Sequence, residues 1–204
     1  MNATSSLASQ IFALIISATL VMGSPGPSTV SVTAMGAAFG WRRATPYVAG
    51  AIMGTIVALL AVASGVVALL MASAKIAPFL IVASAIYILY LAFRIATAPL
   101  LSSGGDIVAA PSFAGGFLLA VANPKAYFAI GAVFAQTHLP LSPPAFEAAV
   151  KIAALVAMIV AIHAVWLIVG AAFSRALRDP KASRIINILL ALVLAATALL
   201  AFAT

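Results

Sequence analysis

From Met1 to Trp41 the chain carries no Asp, Glu, Lys or Arg, and from Ala44 to Ala74 it again carries none. Ile76 to Phe93, Ile152 to Ser174 and Ile185 to Thr204 are further uncharged runs, and Ile107 to Glu147 is broken internally only by Lys125. A helix needs about 20 apolar residues to cross the hydrocarbon core of a bilayer, so each run supplies at least one span. The runs are continuously apolar and lack the alternation of a lipid-facing strand, which points to helices rather than a barrel. Charged residues are 6% of the 204, against about a quarter in a soluble domain. Such a chain cannot clothe a water-facing surface, and lipid is its solvent. The first run is too long for a removed signal peptide and no Lys or Arg precedes it, so it reads as the first span.

The expected fold is an all-α integral membrane protein, with six transmembrane helices near 8–35, 45–73, 76–96, 113–136, 148–173 and 184–203. Residues 1–204 are read as a single transmembrane domain. The longest connection, Ala98 to Pro111, holds Pro99, Ser102, Ser103, Gly104, Gly105 and Asp106. It makes a linker of about 98–112 between a first repeat of about 1–97 and a second of about 113–204. Three spans per half is an odd number, so the halves enter from opposite sides and are expected to form inverted repeats, a recurring basis for alternating access. Seven basic residues fall on one side (Arg42, Arg43, Arg94, Arg175, Arg178, Lys181, Arg184) and two on the other (Lys75, Lys151). The richer side is expected to be cytoplasmic, with both termini periplasmic.

Two helices carry interruptions at corresponding places. Ser24-Pro25-Gly26-Pro27 lies inside the first run, and Asn123-Pro124-Lys125 inside the fourth span. Ser and Asn are good N-caps and Pro is favoured at the first helical position, so each motif reads as a helix start at membrane depth. Such a start aims free N–H groups and the positive end of the helix dipole at the break. Transporters use such ends to hold a substrate carboxylate. The plainer reading is a pair of proline kinks, which transmembrane helices tolerate.

Lys125 sharpens the functional reading, since a cation at mid-membrane costs roughly 2.5–3.5 kcal/mol on insertion scales. It is expected to bind a substrate carboxylate or release a proton during transport; the alternative is pairing with backbone carbonyls exposed by the break. His163 sits mid-run, three residues before Trp166. It either relays a proton or bonds, neutral, across a helix interface.

What is missing narrows the function. The acids Asp106, Glu147 and Asp179 all fall in loops or at span ends; the lack of an intramembrane carboxylate argues against metal-ion export and weakens, without excluding, a dibasic substrate. The chain has no cysteine, so disulfides, thiol catalysis and thiolate metal sites are absent. No cofactor or metal is expected. The net charge of +7 is distributed as topology signals between spans, not as a nucleic-acid surface. Gly36-x-x-x-Gly40 and Gly50-x-x-x-Gly54 are small-residue faces for close packing, within the chain or between copies in a homodimer. Tyr47, Tyr87, Tyr90 and Trp41 read as interface anchors or packing.

Taken together, these motifs resemble the LysE/RhtB family of amino-acid exporters, the LysE-type translocators. Pro25-Gly26-Pro27 followed by Gly36, Gly40 and Gly50 is similar to that family's N-terminal signature. Asn123-Pro124-Lys125-Ala126 is similar to its second. The likeness covers essentially the whole chain. It implies a secondary transporter, not an enzyme, in the bacterial inner membrane. It also implies export of amino acids or related metabolites coupled to the proton gradient. Exporters of basic amino acids in this family carry an acid shortly after the second motif, where this chain has Tyr127, Phe128 and Ala129. That departure, with the missing carboxylates, points toward neutral or zwitterionic substrates. Other classes fit less well. A passive channel is expected to show polar or charged rings, absent here, and a non-transporting scaffold leaves Lys125 as an unexplained cost. An enzyme needs a nucleophile–base pair, for which only His163 is present.

Overall fold

The computed structural model describes residues 3–67 and 112–173, with isolated helical positions between 78 and 93 and between 184 and 196. The expected third and sixth spans and the linker between repeats lie largely outside the described residues, as do Asp106 and Asp179. Five helices are described in full: α1 (Ala3–Val21), α2 (Pro27–Ala63), α3 (Phe113–Val121), α4 (Pro124–Gln136) and α5 (Pro144–Phe173). No strand occurs among the described residues. By length and composition α2 and α5 can each cross a membrane; α3 and α4, bent by 60° at their break, make a third candidate when taken as one span.

The interruption in the first run is real. α1 ends at Val21, and α2 starts afresh with extended Gly26 as N-cap and Pro27 in its first turn. α2 is not straight. Gly40 adopts φ 72, ψ 165, a left-handed conformation that favours glycine, and here the chain doubles back. The Ser31 and Tyr47 hydroxyls are 2.7 Å apart, whereas a straight helix would separate residues 16 apart by about 24 Å. The sequence reading placed a loop between its first two spans, from 36 to 44. The structure makes that turn almost entirely at Gly40, one member of the first small-residue pair. α2 then ends at Ala63, with Gly65 at φ 76 just beyond, the left-handed terminus typical of helices.

The second interruption has the same form. Ser112 caps α3 by accepting from Gly115 N at 3.1 Å. α4 restarts at Asn123-Pro124, with the Asn123 side chain accepting from Lys125 N at 3.1 Å. The segment joining α4 to α5 is clipped to α5: Leu139 N donates to Glu147 Oε1 and Lys151 Nζ donates to Thr137 O at 2.7 Å. Lys151 also lies 3.5 Å from Glu147 and over the Phe134 ring. Read from sequence as a loop charge, it is a buried closure, only 6% exposed.

The apolar core forms two layers with the breaks between them. One joins Leu14 and Ala18 of α1, Ala58 and Leu59 of α2, Ile130 and Val133 of α4, and Leu155 and Ile159 of α5. The other joins Val32 with Tyr47, Val48 and Ala51 from the two legs of α2 and Leu119 of α3, with Trp166 and Leu167 of α5 against it. The second leg of α2 and the whole of α5 therefore run unbroken past both layers. α1 with the first leg of α2, and α3 with α4, are interrupted between them. Glycine permits the closest approaches. A Cβ on Gly50 would meet Phe113 O, one on Gly116 would meet Tyr47 O, and one on Gly170 would meet Thr33 O. Gly36 faces Leu167 and Ala171, and Gly54 faces Phe117 and Ala120. Of the two small-residue pairs, Gly36, Gly50 and Gly54 thus serve packing within the chain.

Candidate functional site at the paired helix breaks

Breaking a helix leaves carbonyls of the preceding turn and N–H groups of the following turn without partners. At membrane depth these groups must be satisfied by protein, water or ligand. For the first break the donors come from the other half of the chain. The Lys125 ammonium donates to Ser24 O at 2.6 Å, Ser24 Oγ at 2.8 Å and Pro25 O at 2.9 Å. Trp166 Nε1 donates to Gly23 O at 3.1 Å. In the second break, Tyr127 Oη donates to Val121 O at 2.9 Å. Of the two sequence readings of Lys125, carbonyl pairing describes its geometry in this state. The carbonyls belong to the first break rather than to its own.

The N-terminal sides of the breaks are joined as well. Asn123 Nδ2 donates to Ser28 Oγ at 3.0 Å, and Asn123 is only 4% exposed. Thr29 Oγ1 accepts from Gly26 N at 2.9 Å, closing the first turn of α2 on itself. Gly26 has to be glycine for a steric reason. A Cβ there would lie 2.5 Å from Lys125 Cδ and 2.9 Å from its Nζ, so any side chain displaces the ammonium from its carbonyls.

A cavity of about 40 Å³ opens at this junction. Ser24, Gly26, Asn123 and Lys125 line it, and so does His163 from α5. The rest of its wall is largely apolar, chiefly Ile130, Ile159 and Ile162, with Ser28, Thr29 and Thr55 as further hydroxyl residues. The sequence-predicted site residues therefore converge on one place, with Pro25 and Pro27 in the first break and Pro124 in the second fixing the backbone beside it. Among the described residues no acid lines the cavity and no cluster of metal-ligating side chains occurs.

His163 is 4% exposed, and its Nδ1 lies 2.8 Å from Ile159 O on its own helix. The expected hydrogen bond across a helix interface is not the one observed. Its Nε2 is buried and without a partner.

Sequence reasoning missed Ser28, Thr29 and Trp166 as parts of this junction. Ser28-Thr29 directly follows Pro27 in the new helix's first turn, where hydroxyl caps are favoured. Nothing in the sequence signalled that Trp166 would reach Gly23, 143 positions away. Asn123→Ala removes both the α4 cap and the bond to Ser28, and is expected to destabilise the protein by about 1–2 kcal/mol. A double-mutant cycle with Ser28→Ala, read by thermal melting, is expected to show coupling of about 0.5–1.5 kcal/mol between the two side chains.

Helices long and apolar enough to span, two helix breaks packed against each other, and a lysine and a histidine lining the cavity between them suit a membrane transporter better than a soluble or structural protein. The chain belongs to the LysE type translocator family, whose family model matches residues 19–203. That stretch contains both breaks and every residue of the cavity. Neither the curated proteins nor the solved structures contain a match to this chain. The family is one of membrane transporters, so the chain is a membrane protein that handles a small-molecule substrate and is not classed with enzymes.

Proposed function

We propose that this protein is a proton-driven secondary exporter that carries neutral or zwitterionic amino acids, or closely related metabolites, out across the cytoplasmic membrane. The observation that carries the reading is the Lys125 ammonium, held by the Ser24 and Pro25 carbonyls at the mouth of a cavity it shares with His163. A half-buried cation with no acid among its described neighbours lacks a counter-charge, and a substrate carboxylate supplies one. The starts of α2 and α4 add the positive ends of two helix dipoles at the same point. The first-turn amides of Ser28 and Thr29 have no helical acceptor of their own.

In the state described, the cavity has room for water rather than for an amino acid. Substrate entry therefore requires Lys125 to exchange some of its carbonyl partners for the carboxylate, which loosens its bridge between the breaks. Binding and conformational change are linked through one side chain. The first leg of α2 reaches only from Pro27 to the turn at Gly40, about 20 Å of helix, so it completes a span of about 30 Å only with α1 behind it. The described parts of the halves then match: a broken span followed by an unbroken one. That supports six spans in two inverted repeats, with alternating access about the breaks. Both termini then lie on the periplasmic side.

The experiment is efflux from cells preloaded with a mixture of amino acids, with the protein expressed against an empty control. Accelerated loss of one or a few neutral amino acids, and its collapse when an uncoupler removes the proton gradient, is the expected result. No accelerated loss of any amino acid overturns the amino-acid assignment, and efflux indifferent to the uncoupler overturns the coupling.

A further inference from the structure

The polar atoms around the cavity are nearly all engaged. Ser28 Oγ accepts from Asn123, Thr29 Oγ1 is tied to Gly26, and Thr55 Oγ1 donates to Ala51 O. His163 Nε2 is the exception: buried, unpartnered, on a side chain that lines the cavity. Its state follows from its other nitrogen. Ile159 O can only accept, so Nδ1 at 2.8 Å carries the hydrogen, and in the neutral ring Nε2 is left as a lone-pair acceptor. Buried acceptors almost always have a donor.

We propose that His163 Nε2 is one acceptor used in turn by the ammonium group of the cargo and by the coupling proton, so that each excludes the other. This rests on the exporter reading above. A zwitterion whose carboxylate lies toward Lys125 must place its ammonium in the same cavity, where no acidic side chain receives it. The Nε2 lone pair is the acceptor left open to it. When a proton adds to Nε2 the imidazole becomes an imidazolium; one N–H bond forms and no other bond changes. The lone pair is gone and a positive charge faces the cargo ammonium. Among the described residues Lys125 is the only other titratable side chain lining the cavity, and α1 and α2 contribute no acid to it, so none of these side chains offsets the new charge. A cycle follows: neutral His163 takes the amino acid from the cytoplasm, a proton entering from outside displaces it, and that proton leaves to the cytoplasm before the next cargo binds. One proton enters for each amino acid exported.

The test is equilibrium binding to the purified full-length protein across a pH series. The probes are radiolabelled L-alanine, L-valine and L-leucine, with propionate, 3-methylbutanoate and 4-methylpentanoate as competitors lacking the amino group. In the wild type, amino-acid binding is expected to weaken on acidification through the imidazole range, while binding of the des-amino acids stays flat. His163→Gln keeps an acceptor but cannot titrate, and is expected to bind amino acids with no pH dependence in that range. His163→Phe is expected to lose about tenfold in amino-acid affinity, the worth of one hydrogen bond to a charged group, with the des-amino acids unaffected. Wild-type pH dependence surviving in His163→Gln, or des-amino acids titrating in parallel with amino acids, overturns the shared-acceptor proposal while leaving the exporter reading in place. Failure of every amino acid to bind the wild type removes the amino-acid reading itself, and this inference with it.

Discussion

Lys125→Met is expected to reduce efflux by at least about tenfold, the minimum for losing a charge-assisted contact to substrate, while shifting the melting temperature by only a few degrees. The two effects separate because stability contains opposing terms. Removing the ammonium leaves part-buried Ser24 O and exposed Pro25 O without the donors that now satisfy them, at up to about 1–3 kcal/mol for a group that finds no other donor. It also removes a cation from mid-membrane, which relieves roughly 2.5–3.5 kcal/mol on insertion scales. These nearly cancel. Methionine retains most of the aliphatic stem that packs against Gly26, so the loss of activity is assigned to charge. Efflux rates and melting curves on the same preparation decide the matter. A large fall in melting temperature together with lost efflux means that Lys125 is chiefly a structural clamp between the breaks. Undiminished efflux removes it from the transport site.

The second large effect is expected far from any charge. Gly116→Ala places a methyl group against Tyr47 O, with Ala51 N only 2.9 Å away. Gly50→Ala drives one into Phe113 O, with Phe117 N also at 2.9 Å. These are backbone atoms in two helices, so no rotamer change relieves the clash, and α2 and α3 must part. Overpacking of this kind costs about 1–3 kcal/mol per site, or about 3–10 °C in melting temperature for a chain of this size. Because α3 leads directly into the Asn123 break, transport is expected to fall with stability. Gly131→Ala is the control: the nearest atom to its added methyl is Val62 Cγ1 at 4.0 Å, and it is expected to be neutral. Equal melting temperatures for Gly116→Ala and Gly131→Ala would show that the α2–α3 contact is not as close as described.

Much of the site was legible in the chain because its signals are local. Asn-Pro and Ser-Pro-Gly-Pro are helix-start chemistry wherever they occur, and a charge within a long apolar run stands out without any knowledge of the fold. The fourth span, read as 113–136, is Phe113 to Gln136 with its break at Asn123. The fifth was read from 148 and begins at Pro144, because Glu147 looked like a charge at the end of the span. Glu147 and Lys151 both lie in the first turns of the helix, pairing with the segment before it. The turn at Gly40 was read as part of a packing face, since a glycine in a small-residue pair looks the same whether it admits a neighbour or reverses the chain.

What the sequence determined by itself was the solvent, the helical class, the two breaks and the identity of the cation at the second of them, all properties of contiguous residues. What only the tertiary structure decided was which groups the breaks satisfy. Lys125 reaches 101 positions back to Ser24, Asn123 reaches 95 positions to Ser28, and Trp166 reaches 143 positions to Gly23. The physical reason is that an orphaned carbonyl in an apolar medium requires a donor but does not specify which one. Any lysine, tyrosine or indole brought within about 3 Å satisfies it. The choice was made by the close packing of α2 and α5 against the broken helices, which carries the two junctions to one point and sets His163 in the wall of the space between them.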